Sequence, residues 1–432
     1  MTRSAAASFR PEARGFGDLA PAGTGRADAP GTGAQRPGAG PERPGAGSER
    51  PGAGSERPDA GPQRLHAYML PDYSEGNPYQ RLLAEALEPL GVHVTLAKRL
   101  ADVPPPARPG DAAAGPQVVH LHWTHGYMLD PRAWMTAVKG MRLLAWLARM
   151  RRRGAAIVWT VHNLQDHDRR QPRLERFFHR RLVRLCDALI VHCRYARDAV
   201  AEAFAVPAPL RRRIFVMPHG HYLGVYGDGV TRDEARARLG LEPGAVVFLY
   251  LGAIRPYKGV PRLVRAFRRL HHSGARLVVA GRPATEGLRA EIEAGAQGDP
   301  RIRLFLERVP DEDIQVFMNA ADAVVMPYED IFTSGTVILA MSYGRPVIAP
   351  RRGCLVEVVD RQGGFLYDPD EPGGLEQALH RALAAAGELP AMGRHNRQRV
   401  EAWTWQAVAL ETRRAYEAAL AARHGAGTSP YL

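Results

Sequence analysis

Two loops carry residue types suited to holding an anion. The first follows the apolar run 246–251 and reads Gly252-Ala253-Ile254-Arg255-Pro256-Tyr257-Lys258-Gly259. Arg255 and Lys258 in a glycine-bounded loop at a strand end are what two adjacent phosphates need: a planar fork, a point charge and exposed backbone N–H groups. The plainer alternative is a basic loop facing water. The second stretch is 326–350, MPYEDIFTSGTVILAMSYGRPVIAP. The apolar run Ala323-Val324-Val325-Met326 reads as a buried strand that stops at Pro327. A polar loop with Glu329 and Asp330 follows, and Thr333-Ser334-Gly335-Thr336 stands where a helix over 337–343 begins. Free N–H groups and the helix dipole favour negative charge at such a start. In open α/β sheets ligands collect at the carboxyl ends of strands. An ordinary N-cap in a β-α-β unit is again the plainer alternative.

Histidines recur at the same kind of place. His122 and His125, His162 and His167, His192, and then His219 and His221 stand at or just past the ends of apolar runs. One such histidine is usually structural, but a recurring set at one end of a sheet predicts a shared cleft. Metal binding is the rival use, with Asp166 and Asp168 nearby, but no pair has a familiar ligand spacing. The cysteines, Cys186, Cys193 and Cys354, show none either. Cys186 and Cys193 flank an apolar run and are expected to be buried thiols in a reducing compartment.

The elements that position these residues alternate. Strands are predicted at 66–70, 92–96, 118–123, 156–161, 188–192 and 214–217, with amphipathic helices between them at 79–90, 133–153 and 174–185. A loop with Ser74, Glu75, Gly76 and Asn77 precedes the first helix and is a weak ligand-loop signal. After a Gly-rich hinge at 224–229 the pattern repeats, with strands at 246–251, 277–280, 302–305, 323–326 and 347–349. A β-α-β-α series implies a parallel sheet covered on both faces. The chain has 432 residues and 45% hydrophobic residues, enough for two such domains.

Net charge is +13. That balance suits nucleic acid, anionic lipid or a phosphorylated small molecule. The helices ending in Arg149, Arg151, Arg152 and Arg153 and spanning 169–184 concentrate it. Residues 1–64 are Gly/Pro-rich, with a seven-residue unit beginning at Arg36, Arg43, Arg50 and Arg57. Proline in every unit and no apolar seam exclude a coiled coil and predict a disordered tail. No apolar run reaches the roughly 18 residues of a membrane span, and no signal-peptide core opens the chain. A cytoplasmic protein is expected, peripheral at the inner face of the plasma membrane.

Taken together, the segments FLYLGAIRPYKG (248–259), LVVAGRP (277–283), ADAVVMPY (321–328), TSGTVILAMSYGRPVIAP (333–350) and GGFLYDPDEP (363–372), with VWTVHNL (158–164) and VMPHG (216–220), resemble a GT-B glycosyltransferase of the group 1, family 4-like type. The resemblance implies an α/β protein of two facing Rossmann-like domains. The acceptor domain spans 65–225 plus a returning C-terminal helix at about 405–423, and the donor domain spans 226–404. It implies that Arg255 and Lys258 neutralise the diphosphate of a UDP- or GDP-linked sugar. The backbone amides of Ser334, Gly335 and Thr336 would bind its oxygens, with no metal and no cofactor. Gly281 and Arg282 would join the donor set, Val309 would contact the base, and the Gly76 loop would approach the phosphates from the other domain. His162 would sit over the sugar or acceptor.

The sequence departs from the family pattern where members carry two glutamates eight positions apart: Ile331 and Leu339 stand there. Glu329 and Asp330 are expected to take over the sugar contact, Asp330 foremost. Ala253 likewise occupies a position that is often arginine. An inverting reaction would need a base, for which Asp166, His125 and His162 are candidates. The expected function is hexosyl transfer to a lipid-linked or polysaccharide acceptor. A non-catalytic nucleotide-sugar binder is the alternative, and no aromatic-basic motif supports nucleic acid as a partner.

Overall fold

The computed structural model describes residues 64–106, 116–166, 168 and 170–426, with side chains described as far as Arg423. The predicted tail, His167 and most of the Pro/Ala/Gly loop at 101–116 lie outside them. Six parallel strands form each of two sheets. The first contains β1 (Leu65–Leu70), β2 (Val92–Leu96), β3 (Val118–Leu121), β4 (Ala156–Thr160), β5 (Ala188–Val191) and β6 (Ile214–Val216), in the order 2-1-3-4-5-6. The second contains β7 (Val246–Leu251), β8 (Ala275–Ala280), β9 (Ile302–Phe305), β10 (Ala323–Val325), β11 (Val347–Pro350) and β12 (Gly364–Tyr367), in the order 12-11-10-7-8-9. Central strands are apolar on both faces because helices cover both: β4 and β5 are buried throughout. This is the GT-B arrangement of two Rossmann-like sheets.

Strand ends and helix starts follow local chemistry. The Thr231 hydroxyl and Glu234 carboxylate cap helix Arg232–Arg238 reciprocally. Ser334 Oγ accepts from the Val337 amide, and helix Gly335–Ser342 then runs through six consecutive buried residues, 337–342. That helix has no polar face because it is packed all round. Its start at Gly335 lies two residues before the predicted one, which brings the Gly335 and Thr336 amides into its first turn.

The last helix, Trp405–Ala426, packs on helix Tyr79–Leu87 and on β4 and β5. Its Tyr416 hydroxyl reaches His120 Nδ1 at 2.8 Å, and the Trp405 indole donates to the His221 carbonyl at 2.8 Å. Three further contacts join the two sheets' loops. Thr333 Oγ1 donates to the His162 carbonyl at 3.0 Å. The Glu357 carboxylate accepts from the Arg194 and Tyr195 amides at 3.1 and 2.6 Å, at the start of helix Arg194–Ala203. Cys193 is disulfide-bonded to Cys354, with 5.7 Å between the Cα atoms. The expectation of two buried thiols at Cys186 and Cys193 is thereby corrected. Only Cys186 is a free buried thiol, and Cys193 finds its partner 161 residues away, where no local spacing could reveal it.

Candidate active site

The largest cleft, about 1140 Å3, lies at the carboxyl ends of β7 and β8. It gathers Gly76, Arg255, Gly281, Arg282, Val309 and Thr336. Gly281 has φ +144°, and a Cβ there would stand 2.0 Å from the Gly252 carbonyl oxygen, so the two strand-end turns pack backbone to backbone. Lys258 closes the single 3₁₀ turn Pro256–Lys258. Its ammonium lies over the Tyr328 ring, 5.3 Å from the centroid. A Cβ built at Gly252 would be 3.7 Å from Lys258 Nζ and 3.9 Å from Thr336 Oγ1, so a cation and a helix start flank the same bare stretch of backbone. A cation and bare backbone beside a helix N-terminus are the chemistry of a candidate anion cradle.

Ser334 faces a neighbouring cavity, and Gly335 is packed against side chains. Ser334 lines a space of about 370 Å3 with His192, His219 and Thr333. Gly335 is crowded by the Tyr222 hydroxyl and His219 Nε2, 3.1 and 3.6 Å from where a Cβ would stand. Glu329 and Asp330 do not line the largest cleft. Both line a cavity of about 720 Å3 with Tyr257, Arg262 and Arg352. Asp330 also lines one of about 270 Å3 with Asn163, Gln165 and Arg176. Leu339 does line the cleft, and Ile331 is buried.

The histidines form a buried network. His192 Nδ1 is 3.3 Å from the Met217 carbonyl, which can only accept, so that nitrogen carries the proton. His192 Nε2 then accepts from His162 Nδ1 at 3.4 Å, and His162 Nε2 accepts from His122 Nδ1 at 3.1 Å. Burial, reinforced by the neighbouring imidazoles, holds His122 and His162 well below the ordinary histidine value. Burial brings His120 and His192 down to about 3. All are neutral, as the tautomer chain requires. Trp123 stacks on His162 at 4.2 Å and 13° between planes, and Tyr79 meets it edge-on at 5.1 Å. Both His162 ring nitrogens are therefore engaged by other histidines, and what His162 offers the opposite domain is its backbone carbonyl.

His125 is half-buried beside the network. Burial lowers its pKa, Asp166 opposes this, and Arg170 and Arg255 add to the depression. Asp166 is buried, and the Arg170 guanidinium grips it through two bonds of 2.8 and 3.1 Å. Burial raises that carboxyl, but Arg170 outweighs it and the group lies below its ordinary value. The Asp166 amide donates to Glu175 Oε1 at 2.8 Å, and burial lifts Glu175 to about 7. Glu175 Oε2, His122 Nε2 and His179 Nδ1 line one small cavity without a partner among the described residues. Sequence reading passed over Glu175 and His179. The one available signal was a lone carboxylate in an otherwise basic helix. No cluster of three or more His, Cys, Asp or Glu groups suited to a metal occurs among the described residues.

Comparison with known proteins places this geometry. Residues 245–385 match the family described as glycosyl transferases group 1. The chain is similar to the GDP-mannose:glycolipid 4-beta-D-mannosyltransferase of Xanthomonas campestris pv. campestris, 31% identical over 277 residues, covering 63% of this chain and 73% of that one. It is also similar to the D-inositol 3-phosphate glycosyltransferase of Segniliparus rotundus, 28% identical over 318 residues, covering 70% of this chain and 68% of the relative. In fold it is similar to sucrose-phosphate synthase from Thermosynechococcus elongatus, with TM-score 0.65, 20% identity and coverage of 83% of this chain and 100% of that one. HepE of Anabaena, solved with UDP-glucose, shares the fold at TM-score 0.61 and 14% identity, over 81% of this chain and 99% of that one. The chain belongs to the group 1 glycosyltransferases of GT-B fold. It is an enzyme that transfers a sugar from a nucleotide-sugar donor.

Proposed function

We propose that this enzyme transfers a hexose from a GDP- or UDP-linked donor to a lipid-linked acceptor at the inner face of the plasma membrane, without a metal ion or other cofactor. The observation that carries the reading is the candidate anion cradle: Lys258 Nζ and Thr336 Oγ1 flank Gly252, which lines a cleft together with Arg255 and Arg282. The Gly335 and Thr336 amides and the two nearest cations take up charge as it develops on the leaving diphosphate, which is the work a metal performs elsewhere. Arg255 lines the cleft and its charge acts on His125, so the acceptor hydroxyl is taken to enter on that side. Asp166, held ionised by Arg170, is the strongest candidate for a base, because both His162 ring nitrogens are engaged. Asp330 and Glu329 are assigned to an acceptor-side contact rather than to the ribose.

The relative that uses GDP-mannose and a glycolipid supports a GDP-hexose as the first donor to try. No helix among the described residues is long and apolar enough to cross a membrane, which is compatible with a peripheral enzyme. A second reading, a binder without turnover, is favoured by Leu339, whose side chain offers no hydrogen bond in the cleft where the family carries a glutamate. Radiolabelled GDP-mannose and UDP-glucose, offered with extracted membrane lipids, separate the two. Label is expected in the lipid fraction, with and without EDTA. Nucleotide binding without transfer or donor hydrolysis would establish the second reading. Complete loss in EDTA, restored by a divalent ion, would overturn the metal-free account.

A further inference from the structure

We propose that the outward faces of helices Ala133–Arg152 and Pro172–Leu182 form the surface by which this protein lies on an anionic phospholipid bilayer; the inference rests on the lipid-linked acceptor only for its purpose. Helix Ala133–Arg152 contains no acidic residue and buries Thr136, Gly140, Leu143, Leu147 and Met150. On the opposite side Trp134, Val138 and Met141 are 64%, 49% and 59% exposed. Spacings of four and three put them on one stripe. The same stripe continues through exposed Arg142, Arg149 and Arg152. Single exposed apolar side chains need no explanation, but a contiguous stripe does.

The neighbouring helix extends the face. Gly140 packs against the Phe178 ring where the two helices meet. The only carboxylate of Pro172–Leu182, Glu175, is buried. Its exposed positions include Arg173, Arg176, Phe177, Arg180 and Arg181, and the Arg181 guanidinium lies 5.0 Å from the Phe177 ring centroid. Both helices are thus apolar where they project and cationic around it, with no outward-facing carboxylate of their own. That is the composition of an interfacial surface: apolar groups enter the headgroup boundary while arginines meet anionic lipid.

Other occupants fit less well. A second copy of the same face would set arginines against arginines across a two-fold axis. Nucleic acid would leave Val138 and Met141, which cannot stack or hydrogen-bond, in water. The placement also serves the cleft. A helix that follows a parallel strand runs back against it, so its first turns lie beside the strand's carboxyl end. Trp134 and Arg173 are in those first turns, and Arg176 lines the cavity that Asp330 shares. The apolar end of the surface therefore lies toward the carboxyl ends of the strands, on the side of the cavity that Arg176 and Asp330 line.

The test is flotation of the full-length protein with vesicles of phosphatidylcholine alone or mixed with phosphatidylglycerol, beside a transfer assay on acceptor lipid in detergent micelles. Binding is expected to the mixed vesicles only, and to weaken with salt. Trp134→Ser with Met141→Ser should abolish flotation while donor hydrolysis and micellar transfer stay unchanged. Arg173→Gln with Arg180→Gln and Arg181→Gln should weaken partitioning roughly 100-fold, whereas Arg265→Gln with Arg269→Gln, on the other domain, should not. Equal binding to neutral vesicles, no vesicle binding, or displacement from the vesicles by duplex DNA overturns the inference. Absent flotation with intact micellar transfer would sink the docking surface alone. Flotation that depends on Trp134 and Met141, without transfer to any lipid, would uphold the surface and sink the proposed acceptor.

Discussion

Two walls, one at the carboxyl end of each sheet, are built on opposite principles. The proposed donor wall presents charge and bare backbone: Lys258 and Thr336 flank Gly252, and Arg255 and Arg282 line the cleft beside it. The proposed acceptor wall presents neutral rings, with the His122, His162 and His192 chain anchored on the Met217 carbonyl and covered by Trp123 and Tyr79. An anion site can stay open because water solvates it when it is empty. A row of buried imidazoles at strand ends is stable only when it is neutral and each ring N–H finds an acceptor. The same position in two similar sheets therefore yields a binding surface in one and a rigid scaffold in the other.

Acid offers the largest break between the walls. Burial depresses His120, His179 and His192 to about 3 and His219 to about 4, and holds His122 and His162 well below the ordinary value. The unfolded chain takes up protons below about pH 6.5 that these folded histidines refuse. Stability is therefore complete above that pH and is lost as pH falls toward 3–4, by up to about 1.4 kcal/mol per pH unit for each histidine. Glu175, raised to about 7, acts in the opposite sense between its ordinary value and 7, but it is one group against six. The first domain should lose its near-ultraviolet circular dichroism between pH 6 and 4, before the second. Simultaneous loss of both domains only where ordinary carboxylates titrate would remove the histidine network as the weak point.

A single substitution can cut the network in the middle. His162→Ala leaves His192 Nε2 and the His122 Nδ1 proton unpaired, at about 1–3 kcal/mol each, so urea unfolding should report a loss of about 2–6 kcal/mol. Nucleotide affinity should hold in the folded fraction; a drop in affinity with unchanged stability would return the His162 ring to the ligand. The bridge between domains comes next. Cys193→Ser removes a cross-link that closes a long loop and should lower stability by about 2–4 kcal/mol. Two thermal transitions should separate where the bridged protein shows them coupled. Identical melting of bridged and unbridged protein would mean that the Thr333 and Glu357 contacts suffice.

The donor wall gives the smallest effect on the fold and a selective one on the ligand. Lys258→Ala should weaken nucleotide-sugar binding by about 1.5–3 kcal/mol, the loss of one charge-assisted contact, at unchanged melting temperature. Calorimetric titration with the nucleotide diphosphate measures it. Equal affinity for the diphosphate and the bare nucleoside, in the unsubstituted protein, would show that the cradle holds no phosphate.

Legibility in the sequence followed the range of the interactions. The cradle could be read because its parts are local: a strand, a glycine turn, two cations three residues apart, and a hydroxyl cap opening a helix. The alternation of strands and helices was equally plain, since each apolar run reports burial on both faces. The histidine recurrence was visible, but its meaning was not. Whether a strand-end histidine faces the cleft or the core depended on the covering residues Trp123, Tyr79 and Trp405, which come from remote elements. Glu329 and Asp330 were legible as a carboxylate pair, but their direction was set by the turn at Pro327 and by Arg352, whose guanidinium holds the Glu329 carbonyl.

By itself the sequence determined the two parallel sheets, the glycine turns at their strand ends and the family, because these rest on periodicity and on short motifs whose backbone geometry is self-contained. The tertiary structure alone decided which nitrogen each histidine protonates, that Cys193 joins Cys354, and that Glu329 and Asp330 line cavities other than the one Leu339 lines. It also decided that Trp134, Val138 and Met141 form an exposed stripe, with no helix over it among the described residues. Each of these depends on which distant surface a residue meets, and spacing along the chain carries no record of that.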